Sequence, residues 1–158
     1  MAKVGRETFA ATFTSIQKDL LESYLKTTYS ADAITAEFAD PSKTYMVARN
    51  RVGEVVGIAQ LHRAQNHPCV QSQAHEMAVM QKVYVDTAAH GQGIGPKLVG
   101  SIEQLARKEG IKYVWLRATD HNVRAHRLYQ KLGYEKKSEI HEKEGPYAWT
   151  DYIYVKHL

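Results

Sequence analysis

Between residues 15 and 39, apolar side chains recur at three- and four-residue spacings. They are Ile16, Leu20, Leu21, Tyr24 and Leu25, with charges between them. That spacing places them on one side of a helix. Ser30 is a candidate N-cap for a restarted helix over Ala31 to Phe38, and Pro41 forbids its continuation. The pattern then turns to strands. Thr44 to Ala48 and Val55 to Leu61 flank Asn50-Arg51-Val52-Gly53, a polar turn with a glycine. Ala64 to Ser72 reads as a loop, and Glu76 to Val85 as a long extended segment. Gly93 to Glu109 is amphipathic, with Ile94, Leu98, Val99, Ile102, Leu105 and Ala106 on one face and Gly110 as C-cap. Tyr113 to Leu116 predicts a strand buried on both faces. Asn122 to Leu132 predicts a short helix stopped by Gly133. Strands around Tyr134 to His141 and Tyr147 to Val155 join across Glu144-Gly145-Pro146. The succession of elements implies an α/β or α+β fold with a mixed sheet.

Length and charge narrow this picture modestly. The chain has 158 residues, the size of a single domain. Its 21 Lys and Arg against 17 Asp and Glu give +4. That surplus suits an anionic small ligand, and the basic residues form no long run of the kind nucleic-acid binding favours. The one cysteine, Cys69, excludes an internal disulfide. It lies in the loop with no base partner visible in the sequence, which disfavours a cysteine nucleophile. His62 and His67, like His121 and His126, are five apart, not the one-turn spacing of a helical zinc pair, so no metal is expected. No apolar run approaches the roughly 20 residues of a membrane helix. Together with an opening segment that lacks a signal peptide's apolar core, this sets a cytoplasmic expectation.

The chemically informative stretch is Val83-Tyr84-Val85-Asp86-Thr87-Ala88-Ala89-His90-Gly91-Gln92-Gly93-Ile94-Gly95-Pro96-Lys97. A strand enters a turn with alternate glycines, and a helix starts at once. Such a helix start leaves its first amides unsatisfied at the positive end of the dipole, ready for a phosphate or pyrophosphate. The dinucleotide fingerprint and the Walker loop both fail on spacing here. His90-Gly91-Gln92-Gly93-Ile94-Gly95 instead resembles the acyl-CoA pyrophosphate loop of the GNAT superfamily of N-acetyltransferases. The family's leading Arg or Gln is replaced by His90.

A second segment supports the resemblance. Asn122-x-x-Ala125-x-x-Leu128-Tyr129-x-x-Leu132-Gly133-Tyr134 is similar to the superfamily's downstream motif. Asn122, Ala125 and Tyr129 share one helical face. The resemblance implies that this face meets the pantetheine arm. It also implies that the Tyr129 hydroxyl protonates the leaving thiolate, and that the backbone at Val83 and Val85 pairs with pantetheine like an added strand. The general base is a carboxylate in many members. The position aligned with it is Val79, which leaves Glu76 or a water to take the amine's proton.

The resemblance covers most of the chain. It implies a mixed, mostly antiparallel twisted sheet flanked by helices. The usual first strand has no residues to form it, so the next strand would lie at an open edge or be covered by a partner, such as a second copy in a homodimer. Glu7-Thr8-Phe9 through Tyr24-Leu25, Asp40, and the tail from Gly145 to Leu158 look like the polyamine and small-molecule branch. The function implied is acetyl-CoA-dependent N-acetylation of a primary amine by direct attack in a ternary complex. The alternatives are a degenerate acyl-CoA-binding module and an acetyltransferase of a peptide or protein amine.

Overall fold

The computed structural model describes residues 2–12 and 18–158. Three helices come first: α1 (Ala2–Thr12), α2 (Lys18–Thr28) and α3 (Ala31–Ala39). Then follow β1 (Lys43–Arg49), β2 (Val55–Arg63), β3 (Met77–Val85), α4 (Ile94–Lys108), β4 (Tyr113–Thr119), α5 (Val123–Lys131), β5 (Glu135–Glu144) and β6 (Tyr147–His157). Short 3-10 turns at Ala74–Glu76 and Thr87–Ala89 bracket β3. The predicted boundaries hold to within a few residues for most elements. Ser30 caps α3, its hydroxyl oxygen accepting the Ala33 amide at 3.1 Å. Ser15 and Ile16, assigned above to a helix, lie outside the described residues. The pattern did not reveal α1, whose Val4 is 4% exposed and whose Phe9 stacks on Tyr24 of α2 at 4.7 Å.

The six strands run in the order β1-β2-β3-β4-β6-β5, with β1 at one edge. β3 and β4 are parallel, in register from Met77↔Tyr113 to Val79↔Trp115. β4 pairs antiparallel with β6 from Tyr113↔His157 to Thr119↔Asp151. β5 closes the other edge against β6, with a register shift between Lys136 and Ser138. The sheet is mixed and mostly antiparallel, as expected.

The chain divides into two compact units, Met1–Gln60 with Lys82–Val99 and Leu61–Gln81 with Gly100–Leu158. In the first, Val4, Leu25, Tyr29, Ile58, Ala59, Leu98 and Val99 are buried. Gly57 on β2 has no side chain where α4 begins. A Cβ there would lie 3.0 Å from both Ile94 and Leu98, so the helix start sits directly on the strand.

In the second unit, β4 alternates: Val114, Leu116 and Ala118 are buried, whereas Tyr113 and Trp115 are half-buried and Arg117 is exposed. The strand expected to be buried on both faces is therefore buried fully on one. That face looks toward α5 and the later turns of α4. Tyr154, the partner of Leu116, has its ring 6.1 Å from Tyr129, and Lys156 on the same side bonds Glu103 at 2.9 Å. The opposite face carries Trp115, Arg117 and Asp151.

Candidate active site

In the first unit, Asp86 accepts the Ala88 amide at 2.9 Å and so shapes the turn leaving β3. His90 Nε2 lies 3.0 Å from the Val85 carbonyl. A carbonyl only accepts, so Nε2 is the protonated nitrogen, and the His90 ring is tied to the strand end. Gly91 and Gly93 have φ of 79° and 73°. A Cβ on either would meet nothing within 4 Å, so these positions need glycine for backbone conformation rather than for space. Gly93 accepts the Lys97 amide at 3.3 Å, which places it at the N-cap of α4. The amides of Gly91, Gln92, Gly93, Ile94 and Gly95 are the donors of this loop. Pro96 has no N–H. It fits the first turn, where that group would have no intrahelical partner, and it adds shape to the loop without a donor.

β3 carries a feature that the sequence did not disclose. Lys82, just before Val83-Tyr84-Val85, has φ of 53°, a left-handed conformation rare for a non-glycine residue. Its ammonium reaches the Glu37 carboxylate on α3 and lies 3.3 Å from the Tyr45 hydroxyl on β1. Tyr45 also donates to Glu37, and the fully buried Gln60 donates its Nε2 to Tyr45 at 2.6 Å. Burial works to raise the Glu37 carboxyl. Lys82, Tyr45 and Lys43 outweigh it and hold the group below its usual value. Next to Lys82, the Tyr84 hydroxyl meets that of Tyr29 at 3.1 Å and is pushed up to about 12, chiefly by burial. These residues come from four elements and the turn between α2 and α3, and no local motif marks them.

The second unit holds the other motif. Asn122 is the N-cap of α5, its Oδ1 accepting the Ala125 amide at 3.1 Å, which leaves its NH2 as the side-chain donor. Ala125 is half-buried one turn on, and Tyr129 is 6% exposed, its ring 5.8 Å from that of Tyr134. The helix closes with Tyr134 N–H donating to Tyr129 O at 2.9 Å and Gly133 N–H to Gln130 O at 3.0 Å, a Schellman arrangement. Asn122, Ala125 and Tyr129 thus share the face that their spacing predicted.

Glu76 lies at the end of the 3-10 turn, one residue before β3, rather than within the strand. Lys112 and the Ser72 hydroxyl both bind its carboxylate and pull it down to about 2. Val79 is 2% exposed. Cys69 is exposed, but the expectation that it has no base partner is overturned: His67 Nδ1 lies 2.9 Å from its sulfur. Two residues apart in a loop, this pair follows no secondary-structure period, so spacing did not expose it. Among the described residues, no group of three His, Cys, Asp or Glu is placed to hold a metal ion, and no helix is long and apolar enough to cross a membrane.

A six-stranded, mostly antiparallel sheet with a glycine turn leading into α4 and an asparagine-capped α5 is the architecture of an N-acetyltransferase. The PaiA N-acetyltransferase of Thermoplasma acidophilum, solved in complex with coenzyme A, superposes with a TM-score of 0.76 at 19% identity. The match covers 99% of this chain and 90% of that one. In sequence, residues 9–134 match the acetyltransferase (GNAT) family. The aminoalkylphosphonate N-acetyltransferase of Salmonella typhimurium is 32% identical over 118 residues, 75% of this chain and 73% of that protein. N-acetyltransferase family 8 member 2 of Rattus norvegicus is 30% identical over 114 residues, 68% of this chain and 49% of that protein. The chain belongs to the GNAT family of acetyltransferases, enzymes that move an acetyl group from acetyl-CoA to an amine.

Proposed function

We propose that the chain acetylates the primary amine of a small molecule by direct attack on acetyl-CoA in a ternary complex. The observation that carries the reading is the backbone at Gly91 and Gly93, whose paired positive φ values turn β3 into the start of α4. The amides from Gly91 to Gly95 would hold the pyrophosphate, with His90 and Pro96 shaping the loop. Val83, Tyr84 and Val85, beyond the last β3–β4 register pair at Val79, would align the pantetheine as an added strand. Asn122 and Ala125 would guide the same arm, and Tyr129 would give its proton to the departing thiolate. Glu76, with Lys112 and Ser72 on its carboxylate, is a weak acceptor of protons, so the amine's proton goes elsewhere, through water in the simplest case.

The likeness to an enzyme named for aminoalkylphosphonates supports a small-molecule acceptor over a peptide. Polyamines remain candidates by the terminal segments. The test is conversion of acetyl-CoA to CoA across polyamines, aminoalkylphosphonates, amino sugars, amino acids and peptides. Turnover with at least one small amine is expected. Tight cofactor binding with no turnover on any amine would favour a binding module. Turnover confined to peptides would replace the small-molecule acceptor.

A further inference from the structure

Direct transfer needs a group to take the attacking amine's proton, and the aligned carboxylate position is the apolar, buried Val79. Val79 is in register with Trp115 on β4, so the two side chains share one sheet face. The Trp115 indole is fixed by donating its Nε1–H to the Gln65 carbonyl at 2.7 Å. Its ring centroid lies 4.8 Å from that of His67. His67 Nδ1 in turn accepts the Cys69 backbone N–H at 3.3 Å and lies 2.9 Å from Cys69 Sγ. An amide N–H can only donate. Nδ1 therefore carries the lone pair, Nε2 carries the proton, and the thiol hydrogen points at Nδ1.

We propose that Cys69 and His67 form the proton relay that deprotonates the acceptor amine; the proposal rests on the acetyltransferase reading above. As the amine nitrogen bonds to the acetyl carbon, its proton passes to Sγ while the thiol's own proton passes to Nδ1. One N–H and one S–H bond break, one S–H and one N–H bond form, and no electrons are transferred. The imidazolium then releases a proton to water.

The surroundings suit a relay better than a nucleophile. Burial, with the Arg117 charge facing it from β4, holds His67 below the ordinary imidazole value, so the ring is neutral and able to accept at pH 7. Partial desolvation pushes the exposed Cys69 thiol up, against the pull of its own backbone amide and of Lys137 from β5, so the sulfur keeps the hydrogen it must pass on.

The experiment is the pH profile of kcat/KM for the wild type, His67→Gln, Cys69→Ala and Cys69→Ser, alongside ¹⁵N NMR of His67 in the unaltered protein. The step starts from the neutral amine, so kcat/KM is divided by the fraction of amine that is neutral at each pH. In the wild type the corrected profile should rise to a plateau with an inflection below about 6.5. His67→Gln and Cys69→Ala should lose on the order of 10² in kcat/KM at pH 7 and move the inflection up by about one unit or more. Cys69→Ser, whose hydroxyl can also pass a proton, should recover part of the loss. The NMR spectrum should show the Nε2–H tautomer. Profiles of both variants superposing on that of the wild type, or a protonated Nδ1 in the neutral ring, would overturn the relay alone. Absence of any amine turnover by the wild type would overturn the acetyltransferase reading and the relay with it.

Discussion

Tyr129 is packed by its ring and proposed to act through its hydroxyl, and a single substitution separates the two. Its ring is fixed among Tyr134 and Tyr154, so Phe in its place keeps the aromatic contacts and removes only the hydroxyl. Tyr129→Phe should lower kcat by about 10²-fold, the lower end of the range for general acid catalysis. It should change unfolding stability by less than about 1.5 kcal/mol. Steady-state kinetics and urea unfolding on the same protein separate the two, and an unchanged kcat would remove Tyr129 from the reaction. Glu76 makes a different case, a carboxylate whose partners hold it ionised. Lys112 and Ser72 lower its pKa to about 2 from the ordinary 4.5. A carboxylate with a lowered folded-state pKa stabilises the fold above the unfolded value and loses that contribution as pH falls through the folded one. Glu76→Gln should therefore melt below the wild type at pH 7. The two melting curves should converge as pH falls toward about 2, and a gap independent of pH would contradict the ion-pair account.

Glycines on either side of the start of α4 respond oppositely to one substitution. Gly93 has φ of 73°, so Ala there is strained although nothing lies within 4 Å, and Gly93→Ala should cost about 1–2 kcal/mol. Gly100 lies inside the helix, also with nothing within 4 Å, and Gly100→Ala should stabilise by about 0.5–1 kcal/mol. Denaturant unfolding of both proteins is the check, and equal signs would refute the argument from φ. In α5, Asn122→Ala removes the cap on the Ala125 amide and should cost about 1 kcal/mol.

These elements also show what a sequence discloses. The glycine turn and the Asn122–Tyr129 helix were legible because their chemistry is local: a cap, a turn and a helical face each occupy a few consecutive residues. α1 was not, because Gly5 and scattered threonines weaken its helical signal, and its anchor is a contact with Tyr24 made only after folding. The Lys82–Glu37–Tyr45–Gln60 network and the tilted ring contact of His67 with Trp115 join residues far apart in the chain, so no spacing rule could find them.

For the molecule as a whole, the net charge of +4 and the site's donors lead to different expectations about salt. Exposed lysines and arginines attract an anion over a distance set by screening, which shrinks from about 10 Å at 0.1 M salt to about 3 Å at 1 M. Backbone amides at a helix start act at hydrogen-bond distance and, once the ligand is seated, exclude the ions that would screen them. The five loop donors from Gly91 to Gly95 are of the second kind, and the surplus of basic side chains forms no run beside them in the sequence. Acetyl-CoA affinity measured calorimetrically should therefore weaken by less than about threefold between 0.05 and 0.5 M salt, because the global charge contributes mainly to encounter. A fall of tenfold or more would mean that lysine and arginine side chains hold the phosphates. In that case Gly93→Ala would leave the affinity largely intact. If the amides hold them, it should weaken binding at both salt concentrations alike.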